Sequence, residues 1–296
     1  MSVTVVRRPP ALASGTEPVP GYRVLAHLTR TGWLDVYDAW SEERACRCVL
    51  KAVRPDRRGE RRLGERLLRE GRWLRDLAHP HLVRAYDTFS APEPLVVLET
   101  LTGETLAHLL YRLRRRPAAA DVALLGAQLC SAAHYLHGHG LLHLDLKPSN
   151  VVVDRGHAKV LDLSVARPPG PAPAGIGTLR YLAPEQARGG LLTAAADVWG
   201  IGVTLYEVAC GEGPFDPGTA GGTAAGPYDG TGTYGREDRY PQLERGAPPV
   251  ASRRRLPPAL AAAVDGCLRT DPRARPAVAE LAAALEATLP VPGRPG

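Results

Sequence analysis

Long apolar runs and paired cysteines are missing from this sequence of 296 residues. No stretch approaches the ~20 apolar residues that a membrane-spanning helix needs, and the N-terminus lacks an apolar signal segment. The five cysteines are an odd, scattered set without C-x-x-C spacing, which argues against a disulfide scaffold or a zinc site. We therefore expect a soluble, cytoplasmic protein with reduced thiols and no membrane span.

Aromatic residues are also scarce, at 5%, although the net charge is +6. Arginine clusters at 57–58, 61–62 and 114–116 are not interleaved with aromatic residues, whereas single-stranded nucleic acids are bound by basic grooves that carry stacking aromatics. We predict no nucleic-acid partner. A basic surface favours an acidic protein partner or a phosphorylated substrate.

The most informative segment is HLDLKPSN at residues 143–150, followed twelve residues later by Asp162. Asp145 can accept a proton from an attacking hydroxyl, and Lys147 can neutralise charge on a moving phosphoryl group. Asn150 and Asp162 can supply the oxygen ligands that Mg²⁺ prefers. The combination predicts phosphoryl transfer.

A second polar pair is predicted from periodicity. Residues 61–77 place leucines at helical spacing, and Glu70 occupies a gap in that apolar stripe. A carboxylate on a buried helix face is costly unless it is paired. Lys51, inside the apolar run 47–53 that reads as a strand, is the natural partner.

Three later features complete the pattern: GTLRYLAPE at 177–185, DVWG at 197–200, and Arg275 in LRTDPRARP at 268–276. Together with the earlier segments they resemble the eukaryotic-type serine/threonine protein kinases, including bacterial ones. The resemblance implies an α+β, bilobal protein kinase-like fold with a small β-rich N-lobe and a larger helical C-lobe. It also implies ATP and Mg²⁺ as cofactors and a protein substrate.

The resemblance also implies a role for each matching residue. Asp145 and Lys147 are catalytic, Asn150 and Asp162 bind the metal, and Lys51 clamps phosphates while Glu70 holds it. The remaining assignments are ATP binding at Val36, Val49, Glu99 and Leu101, and substrate docking or structural support at Thr178, Glu185, Asp197 and Arg275. Lysine is otherwise nearly absent, occurring only at 51, 147 and 159, and a compact ammonium is not interchangeable with a guanidinium at a phosphate site.

The expected organisation is a mobile tail at 1–20, a kinase domain at 21–289 and a short tail at 290–296. Within the domain we expect an N-lobe at 21–101 and a C-lobe at 102–289. A Gly-, Pro- and Thr-rich excursion is expected at 211–249.

The chain departs from the family pattern in several places. The glycine positions of the phosphate-covering loop hold Thr29, Thr31 and Leu34, with Trp33 at the tip. Because side chains hinder close backbone approach to phosphates, this predicts weak nucleotide affinity. The Asp-Phe-Gly triplet reads Asp-Leu-Ser at 162–164, and Leu144 replaces the arginine before Asp145.

Two other readings remain open from the sequence. A pseudokinase would bind nucleotide or act as a scaffold without transferring phosphate. A small-molecule phosphotransferase would share Asp145 and Asn150 but should lack the 177–185 segment and Arg275.

Overall fold

A computed structural model describes residues 9–113, 115–216 and 240–290. Residues 1–8 and 291–296 of the predicted tails lie outside the described residues, as do residues 217–239 of the predicted excursion. The chain forms two compact units.

The first unit comprises residues up to Ala78 together with Leu82–Leu101 and Asp162–Ser164. Its elements in chain order are β1 (Tyr22–Arg30), β2 (Leu34–Ser41), β3 (Cys46–Val53), α1 (Arg61–Asp76), β4 (Ala85–Phe89) and β5 (Leu95–Glu99). The strands form one antiparallel sheet in the order β1-β2-β3-β5-β4. The run 47–53 is thus a central strand, which suits its β-branched and apolar residues.

Helix α1 matches the helix predicted at 61–77. Its leucines at 63, 67 and 74 are buried, and so is Glu70. Gly71 lets the helix approach the sheet closely, because a Cβ there would lie 2.5 Å from Thr88 Cγ2 and 2.6 Å from Val96 Cγ2. This close packing places Glu70 against the sheet.

The second unit comprises His79–His81, Thr102–Leu161 and the described residues from Val165 onward. Its strands are β6 (Glu104–Thr105), β7 (Val151–Asp154), β8 (His157–Val160), β9 (Gly170–Ala172) and β10 (Gly190–Leu192). Its helices are α2 (Leu106–Arg112), α3 (Ala119–Gly138), α4 (Pro184–Arg188), α5 (Ala194–Cys210), α6 (Pro258–Cys267) and α7 (Val278–Glu286). Strands β6, β7 and β8 form one small sheet, and β9 pairs with β10.

Helices dominate the core of the second unit. Helix α3 packs against α5 and α7, and α5 packs against α6. Gly126 of α3 makes this packing close, since a Cβ there would lie 2.7 Å from Leu285 Cδ1 and 2.9 Å from Leu205 Cδ1. Among the residues that the structure describes, no helix is both long and apolar enough to cross a membrane.

The division of the chain differs from a single boundary after residue 101 in two segments. His79–His81 belong with the second unit and Asp162–Ser164 with the first. The predicted metal-binding aspartate, Asp162, is therefore grouped with the β-rich unit, although it follows residues 143–150, the predicted catalytic segment, in sequence.

Candidate active site

Lys51 and Glu70 form a buried ion pair within the first unit. Lys51 Nζ donates to Glu70 Oε1 at 2.6 Å, and Glu70 is fully shielded from solvent. Strand β3 supplies the lysine and α1 supplies the glutamate. The structure thus brings together two residues that are 19 positions apart in sequence.

The environment shifts both pKa values of this pair. Burial disfavours the ammonium, but the carboxylates of Asp162 and Glu70 outweigh that effect and raise the pKa of Lys51. Burial, reinforced by Asp162 and opposed by Lys51, raises the pKa of Glu70 to about 7. Lys51 therefore remains a cation at neutral pH, and its charge opposes the effect of burial on Glu70.

Each carboxylate oxygen of Asp162 has a hydrogen-bond donor or a cation close to it. Lys51 Nζ lies 3.5 Å from Asp162 Oδ2, and the backbone N–H of Ser164 donates to Oδ1 at 2.7 Å. These contacts limit rotation of the carboxylate.

The catalytic segment of the second unit holds Asp145 from one side. Lys147 Nζ donates to Asp145 Oδ2 at 2.8 Å, and the Asn150 amide nitrogen donates to the same oxygen at 3.0 Å. Asp145 Oδ1 is buried and has no hydrogen-bond partner among the described residues. An oriented carboxylate with one oxygen that accepts no hydrogen bond is suited to receive a proton.

Thr178 joins this group through a hydrogen bond from Lys147 Nζ to its hydroxyl oxygen. The bond links the catalytic segment to the predicted docking segment 177–185. Lys147 is thereby held between Asp145 and Thr178.

Asn150 and Asp162, the two predicted metal ligands, offer oxygen atoms, which Mg²⁺ prefers. The described residues contain no group of three or more His, Cys, Asp or Glu side chains arranged to hold a metal, and Mg²⁺ commonly binds through one or two carboxylates together with substrate phosphates and water. Asn150 uses its amide nitrogen on Asp145 Oδ2 and on the Asp145 carbonyl at 2.9 Å. Its amide oxygen is therefore the end left for a cation.

Asp197 anchors the backbone of the catalytic segment. Its carboxylate accepts from the N–H groups of His143 at 2.9 Å and Leu144 at 2.7 Å, and His137 Nε2 lies 2.8 Å away. Burial acts against ionisation, but the bonds and charge from His137 prevail and lower the pKa of Asp197. These bonds hold Leu144 at a φ of 66°, a left-handed conformation that is costly for a leucine.

Gln186 is a site residue that the sequence did not reveal. Its amide nitrogen donates to the carbonyls of Leu144 at 2.8 Å and Ile176 at 2.9 Å, and its amide oxygen accepts from the Ala183 N–H at 3.0 Å. One buried side chain thus ties the backbone before Asp145 to the backbone at Ile176.

Glu185 and Arg275 form a second deeply held ion pair. Arg275 donates to Glu185 Oε1 at 2.6 Å and to Oε2 at 2.9 Å, and it also donates to the backbone carbonyls of Arg269 and Ala195, each at 2.8 Å. Its guanidinium lies 4.9 Å from the Trp199 ring centroid. Arg275 therefore fixes the predicted docking segment 177–185 to the core, because it binds both oxygens of Glu185 and stacks on Trp199.

We expect Arg275→Lys to lower the free energy of unfolding by about 2 kcal/mol, because lysine keeps the charge but cannot reproduce the planar fork or the stack. Urea unfolding measures the effect. Arg273→Lys is the matched control, since Arg273 lies two residues away and is exposed. Equal stability of the two variants would contradict the role given to Arg275.

The four residues predicted to bind ATP besides Lys51 and Glu70 also lie in the first unit. Val36 is the register partner of Lys51, and Val49 that of Leu98. The Glu99 N–H donates to the Arg84 carbonyl at 2.9 Å, so Glu99 can offer adenine its carbonyl but not its N–H. Leu101 follows two residues later and is partly buried.

The phosphate-covering loop is a tight, self-bonded turn. The Thr31 N–H donates to the Leu34 carbonyl at 2.8 Å, and the Leu34 N–H donates to the Thr31 hydroxyl at 3.1 Å. The buried guanidinium of Arg54 donates to the carbonyls of Thr31 at 3.0 Å and Gly32 at 3.3 Å. The backbone N–H groups of Thr31 and Leu34 are thus already used within the turn, and weak nucleotide affinity stays a prediction.

Comparison with known proteins now agrees with this geometry. The protein kinase domain family model matches residues 24–285, and the chain belongs to that family. Serine/threonine-protein kinase PknB of Mycolicibacterium smegmatis is 35% identical over 181 residues, which are 56% of this chain and 29% of that protein. PknB of Mycobacterium tuberculosis is 32% identical over 210 residues, which are 67% of this chain and 32% of that protein.

The chain spans about a third of the length of these curated relatives. The solved structure of the Mycobacterium tuberculosis PknI kinase domain aligns with a TM-score of 0.69 and 22% identity, covering 94% of this chain and 99% of that one. The predicted family and the predicted kinase fold class are both confirmed.

Proposed function

We propose that this chain transfers the γ-phosphoryl group of ATP to serine or threonine hydroxyls of proteins. The observation that carries the proposal is the hydrogen bonding of the Asp145 carboxylate. Its Oδ2 is held by Lys147 and Asn150, while its buried Oδ1 has no partner among the described residues. The serine/threonine-kinase names of the relatives support the choice of substrate hydroxyl.

Each polar residue has one part in the proposed reaction. The substrate hydroxyl gives its proton to Asp145 Oδ1 as its oxygen bonds to the γ-phosphorus, and the bond from that phosphorus to the β,γ-bridging oxygen breaks, leaving ADP. Lys147 offsets negative charge on the moving phosphoryl group. Lys51 contacts the α- and β-phosphates, and Glu70 keeps it in place.

Asn150 and Asp162 would hold Mg²⁺, which offsets charge on the phosphate oxygens when bound. The amide oxygen of Asn150 and the fixed carboxylate of Asp162 suit this hard cation. Leu101 would give its N–H to adenine, and Glu99 its carbonyl. Val36 and Val49 would pack on the base.

The proposed substrate is a protein with acidic or phosphorylated character, because the chain carries a net charge of +6. We propose a cytoplasmic location, since all five cysteines are free thiols and such thiols persist in a reducing compartment. We propose no nucleic-acid partner.

The proposal is tested by incubating the protein with Mg²⁺ and γ-labelled ATP, alone and with generic acidic and basic protein substrates. Acid hydrolysis of labelled product should give phosphoserine or phosphothreonine, and Asp145→Asn should give about 1,000-fold less of it. Mg²⁺-dependent nucleotide binding without any transfer would favour the pseudokinase. Transfer to small alcohols but not to proteins would favour the small-molecule enzyme.

We predict that activity does not depend on activation-loop phosphorylation. Residues 165–177 contain no Ser, Thr or Tyr, and Leu144 stands where an arginine would bind a phosphate. The loop is instead held by the Gln186 amide and by pairing of β9 with β10. Protein treated with phosphatase and then freed of it should keep its full rate.

The matched variant for this prediction is Gln186→Leu, which removes the amide bonds and should lower the rate about tenfold. Loss of activity after phosphatase treatment, with mass spectrometry placing the lost phosphate on Ser164 or Thr178, would contradict the prediction.

A further inference from the structure

Arg66 lies on α1 one turn before Glu70 and makes contacts that the proposed reaction has not used. Its Nε donates to the Ser164 carbonyl at 2.7 Å, and its Nη2 donates to the Ser164 hydroxyl at 3.0 Å. Its guanidinium lies 4.8 Å from the centroid of the Trp33 ring. One side chain therefore contacts both the turn between β1 and β2 and the segment that carries Asp162.

The contacts of Ser164 extend to Asp162. The Ser164 N–H donates to Asp162 Oδ1 at 2.7 Å, while Lys51, held by Glu70, lies 3.5 Å from Oδ2. Helix α1 thus reaches both oxygens of Asp162 through two side chains one turn apart. Glu70 acts through Lys51, and Arg66 acts through Ser164.

The turn that carries Trp33 is itself fixed, so the stack connects Arg66 to a rigid support. The Arg54 N–H donates to the Trp33 carbonyl at 3.0 Å, and the Arg54 guanidinium holds the two preceding carbonyls. A planar guanidinium can stack on an indole with its face and donate with its edge at the same time. Trp33 therefore orients the guanidinium nitrogens of Arg66 that donate to Ser164.

We propose that Arg66 is a positioning residue that sets the orientation of the Asp162 carboxylate toward the metal, with Trp33 and Ser164 as its two partners. The serine at position 164 supplies a hydroxyl that a glycine would lack, and this hydroxyl completes the two-pronged contact. The inference rests on the proposed function because it takes Asp162 as the metal ligand.

The test measures how strongly Mg²⁺ tightens binding of a nonhydrolysable ATP analogue. Calorimetric titration in Mg²⁺ and in EDTA gives a ratio of two affinities for each variant. A purely structural role for Arg66 would change both affinities or the melting temperature and leave their ratio unaltered. Loss of carboxylate orientation lowers the ratio itself.

We expect Arg66→Met to lower this ratio about tenfold, the usual scale for losing a group that orients a metal ligand. Ser164→Ala, which removes one of the two bonds, should lower it about threefold. The double variant should match Arg66→Met alone, because both changes remove the same contact. Arg69→Met is the control, since Arg69 stacks on Trp73 of the same helix at 5.4 Å.

A ratio for Arg66→Met equal to that of Arg69→Met would overturn the proposal. A wild-type ratio of one would also overturn it, because Asp162 would then not serve Mg²⁺. Wild-type protein that binds the analogue more tightly with Mg²⁺ but transfers no phosphate would defeat the kinase proposal, while the drop in Arg66→Met would still support the positioning role. If Arg66→Met does not fold, the ratio for Ser164→Ala decides.

Discussion

Asp145→Asn should reduce phosphoryl transfer about 1,000-fold while the protein stays folded, the scale expected for losing a positioned general base. Lys147 and Asn150 both donate to Oδ2 of Asp145. In the variant they fix the amide oxygen at that position and place the NH₂ group where Oδ1 stood. A hydroxyl proton then meets a donor instead of an acceptor.

The measurement is the initial rate of label transfer, with circular dichroism to verify folding. Ser149→Ala serves as the control, because Ser149 lies in the same segment and is exposed. Nucleotide affinity should change little, since Asp145 acts on the hydroxyl. A rate equal to that of the wild type would show that Asp145 is only structural.

The sequence could predict those parts of the fold that burial makes periodic. Helix α1 has its apolar residues on one buried face, so their helical spacing is visible in the sequence and Glu70 stands out as the polar member. The catalytic segment is contiguous, and its residues could be recognised together. Strands β9 and β10 are only three residues long each, which is too short for such a pattern, and they were not predicted.

Other contacts had no sequence signal because their partners are backbone carbonyls. Gln186 binds the carbonyls of Leu144 and Ile176, and Gln242 donates to those of Leu179 and Leu182, each at 3.1 Å. Every residue has a carbonyl, so neither sequence spacing nor charge identifies these partners. Only the folded chain shows that the two glutamines hold the backbone before Asp145 and the backbone of residues 176–182.

The phosphate-covering loop shows a third kind of limit. The family pattern has glycines where this chain has Thr29, Thr31 and Leu34. In the structure Thr29 belongs to β1, while Leu34 begins β2 and is only 3% exposed. Restoring glycine at Leu34 would remove a buried side chain and cost about 3 kcal/mol, so Trp33 and Arg66 are better probes of this loop.

Lys51→Met should lower both the rate of phosphoryl transfer and the free energy of unfolding. Loss of the ammonium that donates to Glu70 Oε1 leaves a buried carboxylate without this partner, which should lower the free energy of unfolding by about 3 kcal/mol. Loss of the proposed phosphate contact should lower kcat/KM at least 100-fold, on the order of one lost charge-stabilising donor. Thermal unfolding and initial rates measure the two effects.

The stability loss should depend on pH in a defined direction. The pKa of Glu70 is raised to about 7 in the folded protein, so the native state keeps a proton that the unfolded state releases. The contribution of Glu70 to the free energy of unfolding is therefore largest below the ordinary pKa of a glutamate. It declines as pH rises through about 7. Without the opposing lysine the pKa rises further, and the deficit of Lys51→Met should be larger at pH 8 than at pH 6.

A compensating change separates the two consequences of losing Lys51. Lys51→Met combined with Glu70→Met replaces the buried pair by apolar side chains, which is often neutral for stability. The double variant should regain most of the lost unfolding free energy and lose the extra pH dependence, yet remain inactive, because the lysine proposed to contact the α- and β-phosphates is absent. Unchanged stability of Lys51→Met alone, or recovery of activity in the double variant, would refute the ion pair as the support of a phosphate-binding lysine.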